Sequence, residues 1–524
     1  MNKNVLIVPM QPTPNGRMHI GHGSGTYLRA DVIGRALRVQ GYQVKIITGS
    51  DAFENWILAE SKESGRTPEE TCEFFHSAIQ DDLKNLDIHF DSWINPRSKE
   101  HFKGYLKLHE EILDELKKSG QARLENERIP YSKETGEALM GTWISGKCPQ
   151  CKEECGGSSC VYCGAHFQPE ELIEPCSRLD HSTLEWRTVQ NWFARPKDIS
   201  DILSRIEASG IKEQWMRAVK DYLTIRAGRI RLSGPGTWGI KSSLVPEGFL
   251  LSNPYYLYSV YCGEVYKELV DSTHHAFHPN SNVTTIGVFG SDNSTPGLIA
   301  PHVLAEGSNG RLKPFDLTVV NGMLFLEGQK CSTSKKHGIW LSEIQEEKTG
   351  ISSDELRFFL SNAPLDRGLS DIRLDEMVRT INELRRWHTQ TLIPELLKLN
   401  KKQTISVSYT SKLEKVFMQQ KLWLTPQHLD LQAAVKILKS WMFKELYETE
   451  EWVLGLTLLG APFMPKLSKQ LWGLLGLKGI PLVEEVKMNQ VHQVNSLNPD
   501  LLLLRDELSI EQLKPYVHLS AVHS

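Results

Sequence analysis

Pro14-Asn15-Gly16-Arg17-Met18-His19-Ile20-Gly21-His22 is the stretch that decides the fold. Before it stands a short apolar run, Val5-Leu6-Ile7-Val8-Pro9, of the kind that forms a buried strand. After it, from about Ser24, Leu28, Val32, Ile33, Leu37 and Val39 recur at near-helical spacing, and Gly41 is a good stop. A second apolar run, Val44 to Ile47, ends in Thr48-Gly49-Ser50-Asp51. Strand, helix, strand, with a loop at each strand's carboxyl end, is a βαβ unit. It predicts an α/β domain with a parallel sheet and ligands at those loop ends.

His19 and His22 stand three residues apart at the start of that helix, so both can face one ligand. Free backbone N–H groups and the positive end of the helix dipole lie beside them, which suits phosphates. Gly21 lets a purine ring or a backbone approach closely. Taken alone, two such histidines are more often ordinary surface residues; the setting between strand and helix argues for the phosphate site.

Far along the chain, Lys330-Cys331-Ser332-Thr333-Ser334-Lys335-Lys336 is a cationic loop with three hydroxyls. Lysines with hydroxyl donors are suited to a triphosphate as charge builds on a leaving pyrophosphate. Apolar runs at Thr284–Phe289 and Leu317–Val320 place parallel strands just ahead of it. Between the two loops lie Cys148-Pro149-Gln150-Cys151 and Cys160-Val161-Tyr162-Cys163, two CxxC knuckles that supply four thiolates for tetrahedral zinc. Cys155 and His166 remain competing ligands. An all-cysteine site is closed, so its role is to hold the insert together.

In order, separation and strand-loop setting, the two loops are similar to the two signature motifs of class I aminoacyl-tRNA synthetases, and the knuckle insert between them resembles the methionyl-tRNA synthetase family in particular. Gly146-Lys147-Cys148-Pro149, Pro169-Glu170-Glu171-Leu172-Ile173-Glu174-Pro175, Thr237-Trp238-Gly239-Ile240, Ala305-Glu306-Gly307-Ser308-Asn309 and Leu459-Gly460-Ala461-Pro462-Phe463-Met464-Pro465 extend the likeness to about Leu477. The resemblance implies a Rossmann-type catalytic domain, a connective insert with structural zinc and an all-helical C-terminal bundle that in the family reads an anticodon. The expected divisions are 1–120 and 181–350 for the two catalytic halves, 121–180 for the insert, 351–480 for the bundle and 481–524 for a tail.

The resemblance also assigns roles. His19 and His22 contact the phosphates of Mg-ATP, Gly290 and Asp292 hold the ribose, and Ser332 and Ser334 belong to the ATP site. Lys330 holds the pyrophosphate, and Lys335 supplies the second cation because Thr333 stands where the family has a lysine. Asp51 receives the α-ammonium of the amino acid. The family's aromatic and histidine pocket walls correspond here to Gln11, Thr13, Leu250, Pro296, Gly297 and Ala300, which predicts a wider, more polar cavity that binds methionine poorly. Asn382 and Arg386 keep the spacing of the anticodon readers, although Arg385, Arg386 and Trp387 also read as an ordinary helix face, and no tryptophan follows Trp472.

The expected activity is therefore an adenylate-forming ligase, a paralogue that activates another amino acid and delivers it to tRNA or to a small molecule. The alternative is a methionine–tRNA ligase. A non-catalytic tRNA-binding module would show decay of the phosphate-binding residues, and His19, His22, Asp292 and Lys330 all stand.

Composition agrees. A chain of 524 residues is too long for one core. It is 40% hydrophobic and 24% charged, with 60 basic against 64 acidic side chains, a balance that leaves room for a local basic groove only. No apolar run approaches the roughly 18 residues that span a bilayer. Val5–Pro9 is too short for a signal segment, so a cytoplasmic protein is expected.

Overall fold

The computed structural model describes residues 1–160, 162–443, 448–487 and 490–520. At its centre are strands β1 (Asn4–Pro9), β2 (Gln43–Gly49), β3 (Ser92–Ile94), β4 (Val283–Gly290) and β5 (Leu317–Asn321). All pair in parallel, in the order β5-β4-β1-β2-β3. Val5 and Ile7 of β1 enter one hydrophobic core and Leu6 and Val8 enter another, which is why the strand is apolar throughout. The chain leaves β1 to one side and returns to the sheet on the other at β4. The carboxyl ends of these two strands therefore flank a crevice where a parallel sheet binds its ligand.

Helical backbone after β1 already starts at Ile20 and is interrupted before its regular part. Gly23–Tyr27 forms a wide turn, with Gly25 at φ −74° and ψ −112°, and the regular helix is Leu28–Val39. A side chain at Gly23 would lie 2.6 Å from Leu86, so close packing sets the local backbone. Gly41, at φ +81°, ends the helix as expected.

The insert grows from a long antiparallel ribbon, Ala122–Ser132 against Leu184–Ala194. The ribbon's return strand runs beyond residue 180 and pairs with Ile230–Arg231. On the ribbon sits a small sheet of Glu154–Gly156, Ile144–Lys147 and Ile173–Ser177, with a core of its own that includes Leu139, Ile144, Phe167 and Leu172.

The bundle is built from Leu374–Trp387, Ile393–Leu399, Ser411–Trp423, Leu431–Met442, Thr449–Gly460 and Pro465–Leu474. The last two are separated at residues 461–464, where the proline pair breaks the apolar run. Gln432–Tyr447 also reads as one helix in the sequence, and its last residues, 444–447, lie outside the described residues. Trp441 and Trp472 are buried in the bundle core. A short strand pair, Thr404–Val407 with Gln490–Gln493, is added at its edge. Two buried arginines join bundle and catalytic domain. Arg357 pairs with Asp31 at 2.6 Å and donates to the carbonyls of Leu86 and Pro462, and Arg29 pairs with Asp366 at 2.6 Å.

The tail beyond Pro481, which carries no legible sequence pattern, returns to both domains. Leu501, Leu508 and Leu513 are buried, and Val517–His518 pairs antiparallel with Gly338–Ile339. Among the described residues no helix is long and apolar enough to cross a membrane.

Candidate active site

A cavity of about 450 Å³ opens at the carboxyl ends of β1 and β4. Gly16, His19, Gly21 and His22 form one wall, Lys330 to Ser334 the facing wall, and Gly290 and Asp292 close one end. The two loops, more than 300 residues apart in the chain, touch. A Cβ on Gly16 would meet the Thr333 side chain at 2.6 Å, and one on Gly21 would meet that of Cys331 at 2.9 Å. Glycine is what allows this approach.

His19 is the N-cap of the short helix Ile20–His22 and accepts from the backbone N–H of His22. The two imidazoles stack, with centroids 3.8 Å apart and planes 16° from parallel. Desolvation is the main cause that holds both well below the ordinary histidine range; the Lys330 ammonium adds to it, and His22 is brought to about 4. Both are therefore neutral N–H donors at physiological pH. Desolvation lowers the Lys330 pKa and raises that of Asp292, while each group's charge favours the ionised form of the other. Ser332 bonds His337 backbone to backbone and its hydroxyl takes the N–H of Lys335, so the loop is closed on itself. The Lys335 side chain, the expected second cation, is exposed and is not among the residues that line the cavity.

Gln11 and Thr13 line the same cavity. Asp51 stands at the end of β2, one hydrogen bond away, its N–H donating to the Pro12 carbonyl at 2.8 Å. Its carboxylate accepts from Asn253 Nδ2 at 2.6 Å, and the Asn253 carbonyl oxygen accepts from the Tyr105 hydroxyl. Burial first and Glu54 second raise the Asp51 pKa. The other expected pocket residues lie elsewhere. Leu250 packs over Gly236 and Gly239. Gly297 is buried against the Phe289 ring, 2.4 Å from where its Cβ would stand, and Ala300 is in the core behind it. The room expected at Gly297 is thus filled by Phe289, whose position in space a linear alignment does not display. Glu54, Asn253 and Tyr27 join the site without having been singled out in the sequence. Only Glu54, three residues after Asp51 on one loop, carried a local signal.

The Sγ atoms of Cys148, Cys151, Cys160 and Cys163 all lie within 4.8 Å of one another, with Cys148–Cys163 at 3.7 Å and Cys151–Cys160 at 3.6 Å. Tetrahedral zinc with bonds of about 2.3 Å sets its sulfurs about 3.8 Å apart, so these four thiolates fit it. Cys155 is not part of the cluster, and His166 turns away from it to the carbonyl oxygen of Asp292.

Residues 5–385 match the family model described as tRNA synthetases class I (M). The chain belongs to that family, the class I synthetases of the methionine type. It is 27% identical over 405 residues to the methionine–tRNA ligase of Methanococcus aeolicus, covering 73% of this chain and 56% of that one. For the ligase of Thermoplasma acidophilum the figures are 26% over 390 residues, 72% and 69%. The chain thus spans little more than half the length of the M. aeolicus relative. Among solved structures, Mycobacterium tuberculosis methionyl-tRNA synthetase in complex with methionyl-adenylate superposes with a TM-score of 0.65 at 14% identity, over 94% of this chain and 97% of that one. At that identity the likeness speaks for the fold.

Proposed function

We propose that this chain is an ATP-dependent ligase that activates an amino acid as its adenylate and transfers it to an acceptor. The observation that carries the reading is the meeting of the His19–His22 helix start and the Lys330–Ser334 loop on one cavity beside Asp292. A carboxylate oxygen of the amino acid attacks the α-phosphorus of ATP. The P–O bond to the β-phosphate breaks and pyrophosphate leaves. A hydroxyl or amine of the acceptor then attacks the acyl carbon, and AMP departs with the C–O bonding pair.

Neutral His19 and His22 donate hydrogen bonds to phosphoryl oxygens as charge develops, and Lys330 pairs with the leaving pyrophosphate. Asp292 accepts from the ribose hydroxyls, and Asp51 takes the α-ammonium. Magnesium arrives with the nucleotide as its counter-ion. Zinc on the four cysteines holds the insert in shape. The chain's contribution is positioning and fixed electrostatics.

Within this activity the chain is read as a paralogue that uses another amino acid and a small-molecule acceptor. The support is at the bundle. Asn382 exchanges two hydrogen bonds with the backbone of Leu508, at 2.9 and 2.8 Å, and Arg386 pairs with Glu507 at 2.6 Å. The residues that resemble the anticodon readers are engaged by the chain's own tail. The second reading, a methionine–tRNA ligase, is favoured by the names of the relatives. ATP–pyrophosphate exchange over a panel of amino acids, followed by AMP release with tRNA as acceptor, decides. Methionine-dependent exchange with tRNA charging selects the second reading, another amino acid without charging selects the first, and no exchange with any amino acid refutes both.

A further inference from the structure

The loop after β2 carries one carboxylate more than the α-ammonium of an amino acid requires. Asp51 is held by Asn253, whose other amide atom is taken by Tyr105, and thus has a fixed orientation. Glu54, on the same turn, donates its backbone N–H toward the Asp51 carbonyl at 3.5 Å. Its half-buried carboxylate has neither a hydrogen bond nor an ion pair among the described residues. No described cation pairs with either acid. The nearby Arg97 guanidinium lies 3.8 Å over the Trp238 ring and 3.5 Å from Glu69.

A second, independent observation lies in the adjoining cavity. Gln11, 6% exposed, lines the cavity, and its Oε1 has no hydrogen-bond partner among the described residues. Its neighbour Pro12 is the residue whose carbonyl receives the Asp51 N–H. A buried carbonyl oxygen without a donor is disfavoured, and a ligand that carries donors and positive charge satisfies Gln11 and pairs with Glu54.

We propose that the amino acid activated here carries a second cationic group, with Asp51 taking its α-ammonium and Glu54, assisted by Gln11 Oε1, taking the side-chain ammonium or guanidinium. A thioether or alkyl side chain offers Glu54 and Gln11 neither charge nor donor, so selectivity comes from charge pairing and not from apolar contact. Glu54 and Gln11 are specificity-determining residues in this account. The inference rests on the adenylating activity proposed above.

The test is ATP–pyrophosphate exchange by the full chain with methionine, leucine, glutamine, 2,4-diaminobutyrate, ornithine, lysine and arginine. The expected result is exchange with one of the four basic amino acids at ten-fold or greater kcat/KM over any neutral one. Glu54→Gln should reduce that preference at least ten-fold through the amino-acid KM, with the ATP KM within two-fold of its starting value. Preference for methionine or another neutral amino acid overturns the inference while the adenylating activity stands. Absence of exchange with every amino acid overturns both. The wild-type panel decides even if Glu54→Gln fails to fold, and Gln11→Leu, which removes the amide, should weaken the basic substrate several-fold.

Discussion

His166, on the cysteine-rich insert, holds the backbone carbonyl oxygen of Asp292 through its Nε2 at 3.0 Å. Gly164 of the same insert packs so closely on this turn that a Cβ would stand 3.2 Å from the Ser291 carbonyl. The knuckle is thus docked on the turn that closes one end of the cavity. His166→Ala should raise the ATP KM about five- to ten-fold, the worth of one hydrogen bond, with a smaller change in kcat. Pyrophosphate exchange at varied ATP measures it; an unchanged KM contradicts the positioning role.

Metal content follows from the four thiolates. The purified chain should carry one zinc ion, and Cys148→Ser or Cys163→Ser should release it and expose the insert to protease. Elemental analysis with limited proteolysis reports both, and a zinc-free wild-type preparation refutes the assignment.

His22→Ala should lower the adenylation rate by about one to three orders of magnitude, the range for loss of one stabilising donor. Because desolvation and Lys330 bring His22 to about 4, it stays neutral over the physiological range, and the exchange rate should show no inflection from it between about pH 5.5 and 8. A histidine-like inflection near pH 6.5 would count against this.

Stability should fall in mild acid. His109 is 3% exposed, and desolvation brings it to about 4 despite its bond to the Tyr105 carbonyl. The unfolded chain takes up this proton below about pH 6.5 while the folded chain refuses it, so stability is full above that value and drains away down to about pH 4. The loss from this residue is on the order of 3 kcal/mol. Urea unfolding at pH 7 and pH 5 reads the trend, and His109→Gln should remove this residue's share of it.

The charges between domains are buried enough to matter. Asp366 pairs with Arg29 and also accepts from the Leu431 N–H at 3.0 Å. Asp366→Ala leaves the Arg29 guanidinium buried without its counter-charge and should destabilise the chain by about 3–5 kcal/mol in denaturant melts. A change under about 1 kcal/mol, the range of an exposed pair, would mean that water reaches the site.

Much was legible because some signals are local. Val5–Pro9 and Val44–Ile47 read as buried strands since apolar runs bounded by turn residues have few alternatives, and β1 and β2 contain them. The CxxC pairs read as a metal site since their spacing places the sulfurs. The wide turn at Gly23–Tyr27 inside the first helix was not legible, because packing on Leu86 closes on Gly23 from elsewhere in the chain. The pocket was harder still: Gly297 faces Phe289, eight residues earlier in the sequence but on the adjoining strand, and a row of aligned positions does not say who fills a gap.

From the order of residues alone came the βαβ start, the two signature loops, the knuckle and the helical character of the later half, all properties that depend on neighbours within a few turns of chain. Only the folded chain decided that Gly21 meets Cys331, that His166 serves Asp292 and not the thiolates, that Glu54 has no cation beside it among the described residues, and that Leu508 occupies Asn382. Those are contacts between residues dozens to hundreds of positions apart, or partners withheld by such contacts. They follow from how the sheet and the tail bring surfaces together, which no local spacing encodes.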